Sequence, residues 1–320
     1  MTEFIPPAPK KIRYTAPHIL QTDAWGELKS AFGWYALRAE VGPLNVQILF
    51  RKLPLGLTIA YIPKPPVSLF RKNVALGAEV DRVCKKNKAI FLKVEPDEWE
   101  VADQQYALDG WRIGDPIQPP RTIVIDLRGS DDEILGRMKQ KTRYNIRLSG
   151  RKGVTVRAWD DIDAFYEMIQ TTGGRDGFGV HTKEYYQQAY KLFVTSGSAE
   201  LLVAEYEGKP LAAVMVFISG NRAWYMYGAS NNEERNKMPT YLISGKRCAG
   251  RKSVVRNSTT FTACPIKTKN ISKSISQARS VTKVCGVFIV SSAASAAKSN
   301  ALRRRWIGFI SLCFMRFIER

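Results

Sequence analysis

The chain has 320 residues, of which 49 are Lys or Arg and 29 are Asp or Glu, so its formal net charge is +20. This length suffices for about two domains with cores of their own, and a composition of 45% hydrophobic and 24% charged residues excludes disorder over the whole chain. The five irregularly spaced cysteines do not form a disulfide framework. Because the two histidines, His18 and His181, lie far apart and no CxxC pair is present, we expect no metal site.

The apolar runs of the chain bear on its localisation. Residues 1–11 contain no apolar segment of the kind that a secretory signal needs. The longest apolar stretch, residues 306–315, is shorter than the ~20 residues of a membrane-spanning helix. We therefore expect a cytoplasmic protein, working in solution or at the inner face of the membrane.

Up to Leu242, short β-branched and aromatic runs alternate with segments of helical periodicity. Strands are predicted at residues 46–49, 57–62, 89–94, 122–127, 201–206, 211–218 and 223–227. Helices are predicted at residues 69–85, 131–148, 160–171 and 182–193. Ser130, three residues before Glu133, opens the second of these helices with a capping box. The pattern predicts an α/β (α+β) fold, in which residues 20–100 and 155–242 repeat the same order of elements.

Residues 21–34 also have helical periodicity, with three apolar side chains on one face: Trp25, Leu28 and Phe32. Lys29 lies beside that face, where a lysine usually only extends its stem along apolar surface. Tyr227 lies at the end of the last predicted strand. Such a ring is usually part of the core, but a strand end is also where a phenol can face a ligand.

Residues 139–157 concentrate positive charge at the end of a predicted helix and in the loop beyond it, on Lys139, Lys141, Arg143, Arg147, Arg151 and Lys152. These cations either interact with the helix dipole and stay solvated, or they face the phosphates of a nucleotide or RNA. The sequence leaves both interpretations open.

Residues 171–186 carry four glycines around Arg175. A glycine-rich loop would let the backbone approach a ligand while the guanidinium contacts a pyrophosphate in two places. The alternative is a surface ion pair between Arg175 and Asp176. The segment lacks the GxxxxGK[ST] order of a P-loop, and we interpret His181 as a surface or capping residue instead of a general base.

Three segments of the chain resemble the FemABX family of peptidyltransferases, which attach amino acids from aminoacyl-tRNA to the stem peptide of a peptidoglycan precursor. They are KTRYNIRLSGRKGV at 141–154, TTGGRDGF at 171–178 and YGASN…MPTYL at 227–242, within a resemblance from about Ile19 to Leu242. It implies two tandem GNAT-like units and no cofactor besides the aminoacyl-tRNA. It places Lys29, Arg175 and Tyr227 where family members contact lipid II or UDP-MurNAc-pentapeptide, and the basic helix end would face tRNA.

The last 78 residues differ in composition from the rest. They contain 16 of the 49 basic residues and a single acid, Glu319, so they carry +15 of the net charge. They also hold four of the five cysteines and none of the 13 tyrosines. Such a break in composition indicates that the segment after Leu242 has a different origin from the segment before it.

The resemblance implies that this tail is translated out of frame. If the underlying codons are read two bases later, residues 243–247 permit the family-like segment QWEA. In the same way, residues 261–266 permit YGVPD, and residues 283–300 permit GLWGVYRFKRGFGGKVE. We therefore expect a first unit in residues 1–150 with a basic linking helix at 131–149, the start of a second unit in 151–242, and a poorly folded tail in 243–320. The family's catalytic lysine would lie in the out-of-frame region, so the catalytic residue is unknown and this translation is predicted to be inactive.

Two other functional classes stay open. One is a CoA-dependent N-acyltransferase of the GNAT type, although no [QR]xxGx[GA] loop is visible. The other is a basic RNA-binding protein whose Ser-rich tail is native.

Overall fold

A computed structural model describes residues 16–66, 74–97, 111–119 and 121–249, together with three short strands at 260–263, 282–283 and 288–291. These residues form a mixed α/β fold with a six-stranded and a seven-stranded sheet. The predicted fold class is confirmed, and each sheet is the centre of one unit.

The first unit contains two helices and five strands: α1 (Asp23–Ser30), β1 (Trp34–Val41), β2 (Leu44–Lys52), β3 (Thr58–Pro63), α2 (Val74–Lys86), β4 (Ala89–Glu95) and β5 (Trp111–Ile113). Strands β1, β2 and β3 pair antiparallel, and β4 is parallel to β3. Its core packs Ile48 and Phe50 of β2 against Leu76 and Val80 of α2.

The second unit contains five helices and five strands: β6 (Arg121–Asp126), α3 (Asp131–Gly136), α4 (Gln140–Arg151), β7 (Thr155–Ala158), α5 (Ile162–Asp176), α6 (Lys183–Ala189), β8 (Ala199–Tyr206), β9 (Lys209–Ser219), β10 (Arg222–Ser230) and α7 (Pro239–Ala249). A π-helical turn, Tyr190–Val194, follows α6. Strands β8 to β10, which match the strands predicted at 201–206, 211–218 and 223–227, form an antiparallel meander, and β7, which was not predicted, pairs antiparallel with β8.

The predicted helix 131–148 is two helices, because the chain turns between Gly136 and Gln140. The capping box of Ser130 and Glu133 is present. Both α3 and α4 contact α7, and β6 pairs within the second sheet. Residues 121–151 therefore pack with the second unit, which differs from the expected boundary at residue 150.

The structure carries helix α7 across Leu242 as far as Ala249, with Ile243 buried. Strand β11 (Thr260–Ala263) pairs with β10 and also with β6. Strands β12 (Thr282–Lys283) and β13 (Phe288–Ser291) join β6 and β4. The expected shifted frame and poor folding of residues 243–320 stay predictions.

The two units share a buried junction. Trp25 and Leu28 of α1 belong to the same core cluster as Phe165 of α5 and Phe193 of the π-helical turn. Deeper in the junction, Nη1 of Arg222, at the start of β10, lies 2.6 Å from Oδ2 of Asp97, which follows β4. The side chain of Arg222 is 3% exposed. Each unit thus contributes one partner to a buried ion pair.

Among the residues that the structure describes, no helix has both the length and the apolar composition to cross a bilayer.

Candidate functional site

Lys29 projects from the last turn of α1 into the junction between the units. The helix begins at Thr22, whose Oγ1 accepts a hydrogen bond from the backbone N–H of Trp25. The half-buried Lys29 extends its Nζ to 5.2 Å from the centre of the Trp25 ring and 5.1 Å from the centre of the Tyr185 ring. The ammonium thus lies close to two aromatic rings, which attract a cation.

The charge of Lys29 has little compensation. Its Nζ donates to Oη of Tyr185 at 3.3 Å; within the described ranges this is its single hydrogen bond, and it forms no ion pair. Burial, with the positive charge of Arg51, lowers the pKa of Lys29 to about 8. A partly desolvated ammonium with donors to spare is suited to bind an anionic group.

Tyr227 joins the same group of side chains through Tyr185. The two phenol oxygens lie 3.2 Å apart, and either can donate to the other. Because Lys29 can only donate, Tyr185 accepts its hydrogen bond and its own proton can point to Tyr227. Burial raises the pKa of Tyr185, so the phenol stays protonated at neutral pH. Lys29 and Tyr227 are thus connected by hydrogen bonds through Tyr185.

The sequence analysis did not single out Tyr185 or Tyr186, which line this site from α6. The ring of Tyr186 meets that of Tyr227 edge-on, with 5.2 Å between centres. The only available signal was a pair of adjacent tyrosines in a predicted helix, and nothing local ties that helix to Lys29.

His181 is exposed, as predicted, but it also stacks on Tyr185 with 3.9 Å between ring centres. Desolvation and the nearby positive charge of Lys29 lower the pKa of His181. At neutral pH the imidazole is therefore uncharged and adds a flat face to the aromatic wall.

Arg51 is a second cation near Lys29 that the sequence analysis missed. It lies on β2 opposite Trp34 of β1, and its guanidinium carbon is 5.7 Å from the centre of the Trp34 ring. Its charge contributes to the lowered pKa of Lys29. The electrostatic potential on this side of the junction is therefore positive.

Arg175 lies in a helix and not in the expected glycine loop, which is limited to residues 177–182 and holds only Gly177 and Gly179. Residues 171–176 complete α5, and Gly177 ends it in the left-handed conformation, φ 66°. Gly173 is needed for packing, because a Cβ there would lie 2.7 Å from Cγ1 of Val180.

The Arg175 guanidinium contacts several groups of the protein. Its Nε lies 2.9 Å from Oδ1 of Asp176, as in the ion-pair alternative. Its Nη1 donates to the backbone oxygen of Ser230 at 3.1 Å and to Oδ1 of Asn232 at 3.1 Å. Arg175 therefore ties the end of α5 to the end of β10, and its role in binding a substrate stays a prediction.

The predicted basic patch forms one side of a groove of about 800 Å³ along α4. The groove is lined by Arg143, Tyr144, Ile146, Arg147 and Arg151, with Leu242 of α7 opposite. Two further members of the patch lie apart from this lining: Lys141 is exposed near the start of α4, and Lys152 donates to the backbone oxygen of Asn236 at 3.0 Å. A role of these cations in binding phosphates is untested.

The described part of the chain holds no group of three or more His, Cys, Asp or Glu that could bind a metal ion. The structure contains two positively charged sites: Lys29, which lies close to aromatic rings at the junction of the units, and the separate basic groove along α4. The first can hold a single anionic group in a fixed position, and the second can follow a polyanion.

The chain is similar in sequence and in fold to several known proteins. A model of the FemAB family matches residues 101–209. The lipid II:glycine glycyltransferase of Staphylococcus aureus is 32% identical over 215 residues, which cover 60% of this chain and 51% of that protein. The chain thus spans about half the length of the curated relatives that it matches.

Two solved structures share the fold. The crystal structure of FemX matches with a TM-score of 0.74 and 23% identity, over 86% of this chain and 92% of that one. A conserved protein of unknown function from Bacteroides thetaiotaomicron matches with a TM-score of 0.54 and 10% identity, over 83% of this chain and 89% of that one. The family model and the curated relatives thus match parts of the chain, and the FemX structure shares its fold.

Proposed function

We propose that this chain is an aminoacyltransferase that moves an amino acid from aminoacyl-tRNA to an amine of the stem peptide of a peptidoglycan precursor. The acceptor is lipid II or UDP-MurNAc-pentapeptide. The names of the Staphylococcus aureus relatives, which state lipid II and glycine, support this choice of substrate class.

The observation that carries the proposal is the uncompensated charge of Lys29. Both acceptors carry a pyrophosphate, and an ammonium with unused donors forms short charge-assisted hydrogen bonds to phosphate oxygens. Tyr227 lies two hydrogen bonds away from Lys29, where its phenol can contact the same ligand. Arg175 is a candidate for the same ligand from the end of α5.

The chemistry is the aminolysis of an ester. The neutral amine of the stem peptide attacks the carbonyl carbon, the bond to the ribose oxygen breaks, and that oxygen takes up the proton that the amine loses and leaves as a hydroxyl. Because the amino acid arrives activated as an ester, the reaction needs no cofactor. Holding both substrates in line supplies much of the rate, which is the part assigned to Lys29 and Tyr227.

Isothermal titration calorimetry with UDP-MurNAc-pentapeptide tests the proposal on the chain as it exists. We expect Lys29→Met to weaken binding by about 10- to 100-fold, because a charged hydrogen bond is lost. Lys29→Arg keeps the charge and should retain part of the affinity. Arg82→Ala, far from the junction on the exposed side of α2, is the matched control.

Precursor binding that is equal in the wild type and in Lys29→Met would remove the assigned role of Lys29. Transfer of a radiolabelled amino acid from aminoacyl-tRNA to the precursor by a frame-restored protein tests the reaction itself. Acetyl-CoA binding by the same protein, without precursor binding, would favour the CoA-dependent alternative.

Whether this chain is active depends on residues 243–320. Our proposal is that residues from about Ile243 onward are read out of frame, which removes the family's catalytic lysine and leaves the chain inactive. Sequencing the gene over codons 238–248 tests this: an intact frame would contradict it. A frame-restored protein should then transfer the amino acid, whereas the present chain should only bind the precursor.

The charge of the tail favours one other candidate. With +15 in 78 residues, a native tail would bind RNA through counterion release. Deletion of residues 243–320 would then abolish RNA affinity and its salt dependence. In this case the full chain would not bind the precursor at Lys29 either.

A further inference from the structure

The loop between β2 and β3, residues 53–57, places an apolar side chain in solvent. Its sequence, LPLGL, contains no charged or hydrogen-bonding side chain. Leu55 at its tip is 91% exposed, the largest exposed fraction of any large hydrophobic side chain within the described ranges. Because single exposed leucines are common on protein surfaces, the backbone and the neighbours of Leu55 decide whether it has a role.

The backbone of this loop holds Leu55 in a left-handed conformation. Its φ is 62° and its ψ is 23°, a region that glycine and asparagine adopt more readily than leucine. The N–H of Leu53 donates to the backbone oxygen of Leu57 at 2.8 Å, which closes the loop at its base. Since asparagine would fit this backbone better, the fold alone does not account for a leucine at position 55.

Exposed lysines lie close to the base of the loop. Lys52 precedes it at the end of β2. Thr58, which follows it, donates its hydroxyl to the backbone oxygen of Asn87 at 2.7 Å and its N–H to that of Lys88 at 3.1 Å, just after α2 ends at Lys86. These three lysines are exposed and form no ion pair within the described part of the chain. An apolar tip with lysines at its base matches an anionic bilayer, which takes up the leucine and attracts the ammonium groups.

The loop lies at the same end of the first unit as Lys29. Arg51, two residues before Leu53, pairs with Trp34 at the start of β1. Helix α1 leads into that same end of β1 through residues 31–33, and the positive charge of Arg51 contributes to the lowered pKa of Lys29. A bilayer in contact with the loop would therefore lie near the site proposed for the pyrophosphate.

We propose that residues 53–57 dock this chain on a bilayer that contains anionic lipids, with Leu55 inserted between the headgroups and the exposed lysines against lipid phosphates. The surface is argued from exposure and charge, and only its connection to Lys29 rests on the proposed function. A lipid-linked acceptor would then reach the junction from the bilayer, whereas a soluble acceptor would not need the loop.

Co-sedimentation of the full chain with vesicles of equal parts phosphatidylglycerol and phosphatidylcholine tests the inference. Leu55→Asn removes the apolar side chain, so we expect vesicle binding to fall by about tenfold. Because asparagine suits the left-handed backbone, the melting temperature should stay the same or rise. Leu55→Phe keeps an apolar side chain and should bind within about twofold of the wild type.

The lysines are tested in the same assay. The double variant Lys52→Gln, Lys86→Gln should weaken binding by about 10- to 30-fold at low salt, since each lysine near an anionic surface contributes roughly fivefold. The matched control is Lys209→Gln, which removes an exposed lysine without an ion pair from the start of β9 in the second unit. It should change binding by less than about twofold.

Other results would overturn the inference. Residues 243–320 are the same in every variant, so a difference between variants reports on the loop. If Leu55→Asn and the double lysine variant both bind vesicles like Lys209→Gln, the loop does not dock on the bilayer. Weaker binding of Leu55→Asn together with a lower melting temperature would also contradict the inference, because the loop would then only support the fold.

Calorimetry with UDP-MurNAc-pentapeptide separates this inference from the proposed function. Leu55→Asn should bind this soluble precursor like the wild type, because the loop is not part of the site around Lys29. Equal precursor binding in the wild type and in Lys29→Met contradicts only the proposed function. Unchanged vesicle binding in Leu55→Asn contradicts only the docking surface.

Discussion

Lys29 and the α4 groove both present positive charge without an acidic partner in the described part of the chain, but their surroundings are opposite. Lys29 is one half-buried ammonium close to two aromatic rings. The groove carries several exposed cations around one exposed ring. Burial strengthens electrostatic interactions and fixes their geometry, whereas exposed charges are screened by salt. The first site therefore suits one small anionic group, and the second suits an extended polyanion.

A pH titration should separate the two sites most strongly. With the pKa of Lys29 lowered to about 8, its ammonium is mostly charged at pH 7 and mostly neutral at pH 9. Since the charged form binds the anion, precursor affinity should fall by about tenfold as the pH rises through this range. The groove does not include Lys29, so calorimetry should show the fall while the fluorescence anisotropy of a labelled oligonucleotide in the groove stays constant.

The variant Lys29→Arg is the control for this titration. Its guanidinium stays charged at pH 9, so the loss of affinity should disappear. A pH dependence that persists in Lys29→Arg would assign the titration to another group.

Arg175→Ala should have a smaller effect on precursor affinity than the pH titration. It tests whether Arg175 binds the precursor or only stabilises the fold. If Arg175 binds the precursor, its removal should weaken binding by several-fold without unfolding the protein. If it only ties Asp176 to Ser230, the melting temperature should fall by a few degrees with precursor affinity unchanged. Calorimetry and thermal unfolding monitored by circular dichroism distinguish these outcomes.

Tyr185→Phe should have the smallest effect. The substitution keeps the ring beneath Lys29 but removes the oxygen that accepts its hydrogen bond. We expect precursor affinity to change by about two- to fivefold, since a net hydrogen bond is worth ~0.5–1.5 kcal/mol. Oligonucleotide binding in the groove should be identical to that of the wild type, and a parallel loss there would mean that the variant is misfolded.

Local patterns predicted the scaffold better than the site. The strands of the meander are β-branched and apolar runs bounded by glycine turns, so their periodicity shows in the sequence alone. Strand β1 was missed because Arg38 and Glu40 interrupt its apolar run. The helix predicted at 131–148 is two helices, because the chain turns at residues 137–139, which include neither glycine nor proline, while Gly136 is still part of α3.

The site is assembled from residues that no local pattern connects. Lys29 and Tyr185 are 156 residues apart in sequence, and their hydrogen bond exists only because α1 packs on the second unit. Family resemblance located Lys29 and Tyr227, but Tyr185, Arg51 and the stacking of His181 required the packed structure. The groove is an intermediate case, because its charges are local to α4 while Leu242 comes from a distant helix.

The ion pair between Asp97 and Arg222 has a consequence for folding. Its partners come from different units. If the units separated, each charge would either stay buried without its partner, which costs several kcal/mol, or would be solvated by water entering the junction. Neither unit is then a self-sufficient folding module, and the two sheets should melt in one cooperative transition. The geometry around Lys29 should accordingly persist until that single transition.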